Sequence, residues 1–283
     1  MSPTIHEVLK TCESRLSGVD SPRLSAELLM AHALGWSRLA LNLERGRALG
    51  PAELAAVEAL VARREAGEPV AYILGSREFY GLDFAVSPAV LIPRPETEHI
   101  VEEVERLFPK DRPLRFADLG TGSGILAVTI ATLFPQARGT AVDISEAALE
   151  VAETNARTHG VAERLDFQLL DFTKQTVEGE FDLVVSNPPY VTEAEFTAAS
   201  REVTGFEPTG ALVSGPDGLD HIRAMLPRVV TMLKHGGRLF MEIGCGQGGA
   251  IIKIISSKFP ELGEVGVLKD LAGLDRVVCA KRL

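Results

Sequence analysis

Asn187-Pro188-Pro189-Tyr190 is the segment of this chain whose residue types most directly imply chemistry. It follows an apolar run, Phe181–Ser186 (FDLVVS), that reads as a strand. That puts it at the carboxyl edge of a sheet, where open α/β proteins hold their ligands. Consecutive prolines fix the backbone and remove two N–H donors, leaving carbonyl oxygens to point into a site. The Asn187 side-chain oxygen and the Pro188 carbonyl then form two rigid acceptors that match both hydrogens of a planar NH2 group. Tyr190 can stack on the same flat group. An amide or aromatic amino nitrogen is a poor nucleophile because its lone pair is delocalised. Accepting both hydrogens returns electron density to the nitrogen and aims it at an electrophilic methyl. In-line placement can supply up to ~7–11 kcal/mol of the barrier. The extra proton can leave after transfer, so the absence of a nearby His base is no objection.

Upstream, Asp118-Leu119-Gly120-Thr121-Gly122-Ser123-Gly124 follows a first strand and opens a helix. Such glycines let the backbone turn sharply and approach a ligand closely. Gly122 to Ala127 also satisfies the G-x-G-x-x-A dinucleotide fingerprint, and Asp143 ends the next strand, where a carboxylate can accept both ribose hydroxyls. These features imply a nucleoside-containing cofactor without separating a nicotinamide from adenosylmethionine. Two others favour adenosylmethionine. The third strand ends in Leu170-Asp171-Phe172, where a ring can cover an adenine and a carboxylate can accept from its amino group. The Asn-Pro-Pro-Tyr segment answers to no hydride-transfer mechanism.

The elements that must position these residues are legible from periodicity. Residues 1–75 read as helices: Leu24, Leu28, Leu29, Ala31 and Leu34 have helical spacing before Gly35, and Pro51 opens a helix running to about Gly67. Residues 76–112 read as a linker, a β-hairpin around Leu82–Val86 followed by a helix from about Glu96 to Phe108. Residues 113–283 alternate strand and helix. Strands are expected at Arg115–Leu119, Gly139–Asp143, Leu165–Leu170, Phe181–Ser186, Arg238–Ile243, Val265–Leu268 and Val277–Ala280. Helices are expected at Ile125–Leu133, Glu146–His159, His221–Leu233 and Ala250–Phe259. Repeated βα units imply a doubly wound α/β sheet, mostly parallel. Only Lys269–Arg276 separates the last two strands, too little for a crossover, so they should pair antiparallel.

With 283 residues, 46% hydrophobic and 24% charged, two globular domains are expected and no disulfide or metal staple is needed. A net charge of −10 excludes a polybasic nucleic-acid binder, though not an enzyme acting on a nucleobase. Cys12, Cys245 and Cys279 form no C-x-x-C pair and read as buried structural thiols of a reducing compartment. The six histidines form no metal-binding cluster, so no metal is expected. The N-terminus lacks a secretory h-region, and the apolar stretch Ile125–Phe134 falls short of the ~20 residues that span a bilayer. A cytoplasmic protein is expected.

Taken with the glycine loop and Asn-Pro-Pro-Tyr, Leu91-Ile-Pro-Arg-Pro-Glu-Thr-Glu98 makes the chain resemble the PrmC/HemK family, bacterial enzymes that methylate a glutamine amide in class I peptide chain release factors. Tyr72–Gly75, Glu78–Gly81, Phe206–Pro208 and Gly215–Leu219 extend the resemblance over nearly the whole chain. It implies a Rossmann-like class I methyltransferase domain, with a seven-stranded, mostly parallel sheet and an antiparallel last strand, behind a helical substrate-recognition domain. The implied cofactor is S-adenosyl-L-methionine, leaving as S-adenosyl-L-homocysteine. Residues Gly120, Thr121, Gly122, Ser123 and Gly124 would contact its methionine part, Asp143 its ribose, and Asp171 and Phe172 its adenine. Asn187 would face cofactor and substrate, and Asn187, Pro188, Pro189 and Tyr190 would hold the glutamine of the release factor's Gly-Gly-Gln loop, with Asn187, Pro188 and Tyr190 as the catalytic set. Arg94, Glu96 and Glu98 either brace the linker or touch ligand, and Glu207 reads as a buried brace. No direct nucleic-acid or membrane binding is implied, and a monomer is expected. The alternatives are an amino-group methyltransferase of DNA or RNA, which would stack a flipped base on Tyr190, a nicotinamide oxidoreductase, and a non-catalytic translation-factor adaptor.

Overall fold

The computed structural model describes residues 2–283. The chain divides into two compact units. One comprises Met1–Ser76 together with Ser200–Phe206, the other Arg77–Ala199 and Glu207–Leu283.

The first unit is helical: α1 (Ile5–Arg15), α2 (Pro22–Leu34), α3 (Arg38–Leu43), α4 (Pro51–Glu65) and α5 (Val70–Leu74). Thr4 and Glu7 close a capping box on α1, and Pro51 opens α4 at a position where its missing N–H is no loss. One buried cluster, including Ile5, Leu29, Met30, Leu41 and Val61, holds the helices together. Ser200–Phe206 joins this unit through Arg64, which is buried and donates from Nη2 to Glu202 Oε1 at 2.5 Å and from Nη1 to the Glu68 carbonyl at 3.0 Å.

In the second unit, β1 (Ser76–Phe79) and β2 (Leu82–Ala85) form the expected hairpin. Its two central residues, Tyr80 and Gly81, have φ of 52° and 75°, the left-handed pair of a tight primed turn. A 3-10 turn at Pro95–Thr97 leads into α6 (Glu98–Leu107). Then follow β3 (Leu114–Leu119), α7 (Ile125–Leu133), β4 (Ala137–Asp143), α8 (Glu146–Thr158), β5 (Leu165–Leu169) and β6 (Phe181–Ser186). After α9 (Glu193–Ala198), and past α10 (Arg201–Phe206) of the first unit, come α11 (Asp220–Met232), β7 (Leu233–Glu242), α12 (Gly248–Lys258), β8 (Leu262–Lys269) and β9 (Asp275–Arg282).

The seven-stranded sheet has the order β5-β4-β3-β6-β7-β9-β8. The first five strands are parallel, and β9 lies antiparallel to both of its neighbours. The order turns outward in both directions from β3 and β6, and this switch point brings the Gly120 loop beside Asn187. Alternation sends Phe116, Leu183, Val185 and Phe240 into the core on one face, and Ala117, Leu119, Val184 and Leu239 into the core on the other. Strand β7 begins five residues before the expected Arg238 and carries an irregular register opposite Phe181 and Leu183, where His235-Gly236-Gly237 interrupts the apolar pattern. Among the described residues no helix is long and apolar enough to cross a membrane.

Candidate active site

The carboxyl ends of β3, β4 and β6 open onto a cavity of about 410 Å³. That lies in the range of small-ligand and cofactor sites. Gly120, Thr121, Gly122, Ser123, Asp143, Asp171, Phe172, Asn187 and Pro189 all line it, drawn from stretches of sequence that the fold alone brings together. Gly124, Pro188 and Tyr190 lie off its wall.

The loop after β3 is held by its own polar groups. Gly120 and Thr121 both donate backbone N–H bonds of 2.9 Å to the Val142 carbonyl, and Thr121 Oγ1 donates to Asp118 Oδ2 at 2.7 Å. The Ala127 N–H reaches the same Asp118 oxygen at 3.1 Å, which ties the first turn of α7 to the strand end. Gly120 has φ of 74°, and a Cβ there would stand 3.2 Å from the Phe172 ring, so the aromatic wall depends on this residue having no side chain. Gly124 serves packing instead: a Cβ on it would press on Ala152 of α8. Asn155 of α8 also braces the loop, donating to the Ser123 carbonyl at 2.8 Å while pairing with both backbone groups of Ala85.

Three carboxylates meet the cavity in different states. Asp143 accepts from Gly122 N–H at 2.9 Å and Ser145 N–H at 3.0 Å, and burial raises its pKa against these bonds. Asp118 is fully buried among the residues that line the cavity, and its Oδ1 has no hydrogen-bond partner. Burial pushes its pKa up to about 7, with the Thr121 and Ala127 bonds opposing. Asp171 is held down to about 2 by Lys174 and Thr173. Its carboxylate receives Thr173 N–H at 2.9 Å, Thr173 Oγ1 at 2.5 Å and Lys174 Nζ at 2.8 Å. The side chain expected to accept from an adenine amino group is thus already engaged by its own turn.

Beside Phe172 the structure places a residue that no motif marks. His221 lines the cavity with its ring centroid 6.3 Å from that of Phe172. Its backbone N–H donates to Ser214 Oγ at 2.9 Å, and the same hydroxyl lies 2.9 Å from His221 Nδ1, which fixes the ring plane beside Phe172. Burial lowers the His221 pKa and favours the neutral ring.

The linker motif enters in two ways. Arg94 lines the cavity and is tied by Nη2 to Glu207 Oε1 at 2.5 Å, while Glu207 Oε2 accepts from Ile92 N–H at 3.2 Å. Glu207 is therefore a buried brace, as expected, and the half-buried Glu98 braces the hairpin, accepting from Tyr80 N–H at 2.9 Å. The residue of this motif that reaches Asn187 is Thr97, whose Oγ1 lies 3.1 Å from Asn187 Nδ2. Thr97 and Tyr190 in turn both donate to Glu242, a buried carboxylate at the end of β7. The Tyr190 carbonyl is fixed by Gln247 Nε2 at 2.9 Å. Thr97 lies within the linker motif but is not singled out there, and neither Glu242 nor Gln247 carries a motif signal that would have marked it.

Among the described residues no group of three His, Cys, Asp or Glu is placed to hold a metal ion. All three cysteines are free; Cys12 is buried and Cys279 half-buried, but Cys245 is exposed in the turn after β7, contrary to the expected buried thiol.

Comparison with known proteins bears on the whole chain. The model of the PrmC N-terminal domain matches residues 7–75, and that of the methyltransferase small domain matches residues 101–204. The release factor glutamine methyltransferase of Nitratidesulfovibrio vulgaris is 46% identical over 99% of this chain and 95% of its own length. That of Koribacter versatilis is 41% identical over 99% of both. Among solved structures, a methyltransferase from Pyrococcus furiosus superposes with a TM-score of 0.52 at 17% identity, over 79% of this chain and 96% of that one. The ribosomal protein L11 methylase of Lactobacillus delbrueckii subsp. bulgaricus does so with a TM-score of 0.50 at 23% identity, over 70% and 83%. These two likenesses speak for the fold.

Proposed function

The chain belongs to the release factor glutamine methyltransferases, and from that premise we propose that it transfers a methyl group from S-adenosyl-L-methionine to the side-chain amide nitrogen of the glutamine in the Gly-Gly-Gln motif of class I release factors, modulating translation termination. The observation that carries this reading is the orientation of Asn187. Its Nδ2 is occupied by Thr97, so its Oδ1 is the atom left for the cavity. An acceptor there fits an NH2 group and rejects a carboxylate or a hydroxyl oxygen presented without its proton; the Pro188 carbonyl, off the cavity wall, is the second acceptor this reading assigns.

The cavity fits the cofactor on its own terms. Asp118 Oδ1, buried and unpartnered, is an acceptor suited to an ammonium group. The lone pairs of Asp143 not taken by Gly122 and Ser145 suit ribose hydroxyls. Phe172 offers a flat wall to a base, with the His221 ring standing beside it. When bound, S-adenosylmethionine supplies a methyl group on a positively charged sulfur that leaves readily as a thioether.

The chain's own residues do the rest. Asn187 Oδ1 and the Pro188 carbonyl accept the two amide hydrogens, which localises the lone pair on nitrogen and aligns it with the methyl. Tyr190, held by Glu242 and Gln247, keeps the flat amide in plane. As the N–C bond forms, one of the two amide protons passes to solvent, so no side-chain base is required. Most of the acceleration is placement, for which an ordered site can supply up to ~7–11 kcal/mol.

Methyl transfer from labelled adenosylmethionine tests the reading with three acceptors: an unmodified release factor, the same factor with the Gly-Gly-Gln glutamine changed to alanine, and bulk DNA and RNA. Label on the first alone is expected. Label on nucleic acid and none on the release factor would overturn the substrate class. We read the protein further as a cytoplasmic monomer that binds no nucleic acid directly, in keeping with its net charge of −10.

A further inference from the structure

Glu242 ends β7 directly behind the transfer site, 1% exposed, and is not part of the cavity wall. Two hydroxyls occupy it: Thr97 Oγ1 donates to Oε2 at 2.5 Å and Tyr190 Oη to Oε1 at 3.0 Å. Thr97 Oγ1 is also the partner of Asn187 Nδ2, at 3.1 Å. Proton counting sets the direction of this chain of contacts. A carboxylate has no proton to give, so a hydroxyl beside it must donate. Once the single Thr97 proton goes to Glu242, Thr97 can offer Asn187 only lone pairs, and Asn187 must turn its NH2 toward Thr97. With Glu242 protonated on Oε2, the oxygen that faces Thr97, the direction reverses: the acid donates to Thr97, the Thr97 proton turns to Asn187, and the amide is drawn over to present its oxygen to Thr97. An NH2 would then face the cavity, donor against the donor of the substrate amide.

We propose that Glu242 is a positioning residue for methyl transfer: as a carboxylate it acts through Thr97 to turn the Asn187 oxygen toward the substrate, and as an acid it turns that oxygen away. The inference rests on reading the site as an amide methyltransferase centre. The groups facing Glu242 come from three further elements. Thr97 and Glu96 lie on the 3-10 turn before α6, where Glu96 repels its charge; Tyr190 follows β6, with Arg94 acting on Tyr190; and Arg276 of β9, paired with Asp270, attracts its charge. Burial outweighs the attraction and pushes Glu242 up to about 7, so both forms are populated near neutrality.

The test measures kcat and KM for an unmodified release factor from about pH 5.5 to 9, together with the dissociation constant of adenosylmethionine. Wild type is expected to show a kcat that falls on the acid side with a midpoint near the Glu242 value of about 7. Glu242→Gln, the same shape with an NH2 to donate, should lower kcat at least ~10-fold, leave cofactor affinity and KM within ~3-fold, and abolish the acid limb. Thr97→Val should lose as much, and Thr97→Ser should recover most of it. The Glu242→Gln/Thr97→Val double variant should be no worse than the poorer single one, because both break one chain. An acid limb that persists in Glu242→Gln overturns the proposal, as does a Thr97→Val enzyme with wild-type kcat. If Glu242→Gln does not fold, the Thr97→Val and Thr97→Ser pair decides alone, with equal activity of the two as the overturning result. A wild type that methylates no release factor overturns the reading of the site, and this inference with it. An active wild type with a flat acid side overturns the inference only.

Discussion

Each polar residue of the site is defined by which of its atoms are already engaged. Asn187 gives its NH2 to Thr97 and keeps its oxygen for the cavity. Asn187→Ala is therefore expected to abolish turnover while adenosylmethionine binding, followed by calorimetry, is weakened but measurable. Asp118 has the opposite balance, with one oxygen satisfied twice and the other not at all. Its folded pKa of about 7 lies above the ordinary carboxyl value. A raised folded pKa means the folded state holds the proton more tightly than the unfolded chain, so stability is lost as pH rises from ordinary carboxyl values toward 7. Asp118→Asn should remove that penalty. Its Tm without added cofactor should exceed that of wild type at about pH 8 and converge with it by about pH 5, while cofactor affinity drops. A lower Tm at both pH values would refute this account of Asp118.

Among the elements, the turn from β6 into the Tyr190 segment matters more than any helix. Val191 pairs with the 212–214 strand-like stretch, and Gln247 at the start of α12 holds the Tyr190 carbonyl. Gly218 closes the arrangement: its φ is 72°, and a Cβ would stand 2.2 Å from the Tyr190 carbonyl oxygen. That contact involves backbone and cannot be relieved by a rotamer change. Gly218→Ala should destabilise the protein by about 1–3 kcal/mol. By displacing Tyr190 it should also lower kcat more than it lowers cofactor affinity. Chemical denaturation and calorimetry, run in parallel, would check both, and an undisturbed kcat would mean that Tyr190 does not set the placement of the substrate.

For the whole molecule, the informative feature is that the two compact units are not two consecutive stretches of chain. Ser200–Phe206, which follows the Asn187–Tyr190 motif after nine residues of loop and helix, belongs with the N-terminal helices and is held there by the buried Arg64. The division expected from sequence, 1–75, 76–112 and 113–283, has no place for such a return. Arg64→Leu should leave Glu202 without its partner and destabilise the helical unit by about 2 kcal/mol. Because the freed segment is continuous with the substrate motif, KM for the release factor should rise while the dissociation constant of adenosylmethionine stays within about twofold of wild type. Equal damage to both would show the helical unit to be general support.

Much of this protein was determined locally and could be read along the chain. Helix α7 at Ile125–Leu133 and strand β6 at Phe181–Ser186 have the bounds their apolar patterns imply. The glycine loop and Asn-Pro-Pro-Tyr are legible because their backbone chemistry depends on adjacent residues. The antiparallel last strand follows from a connection too short for any other path. What the tertiary structure alone decided is how those pieces are held. Thr97 and Glu242 meet across 145 residues of sequence, and Thr97 meets Asn187 across 90. Asp171 was legible as a strand-end acid but not as one already engaged by its own turn, and Ser214 fixes a histidine that no motif marks. A side chain's type is written at its own position. Which of its atoms remains free to do chemistry depends on neighbours that a parallel sheet gathers from distant strand ends, and those exist only once the sheet has formed.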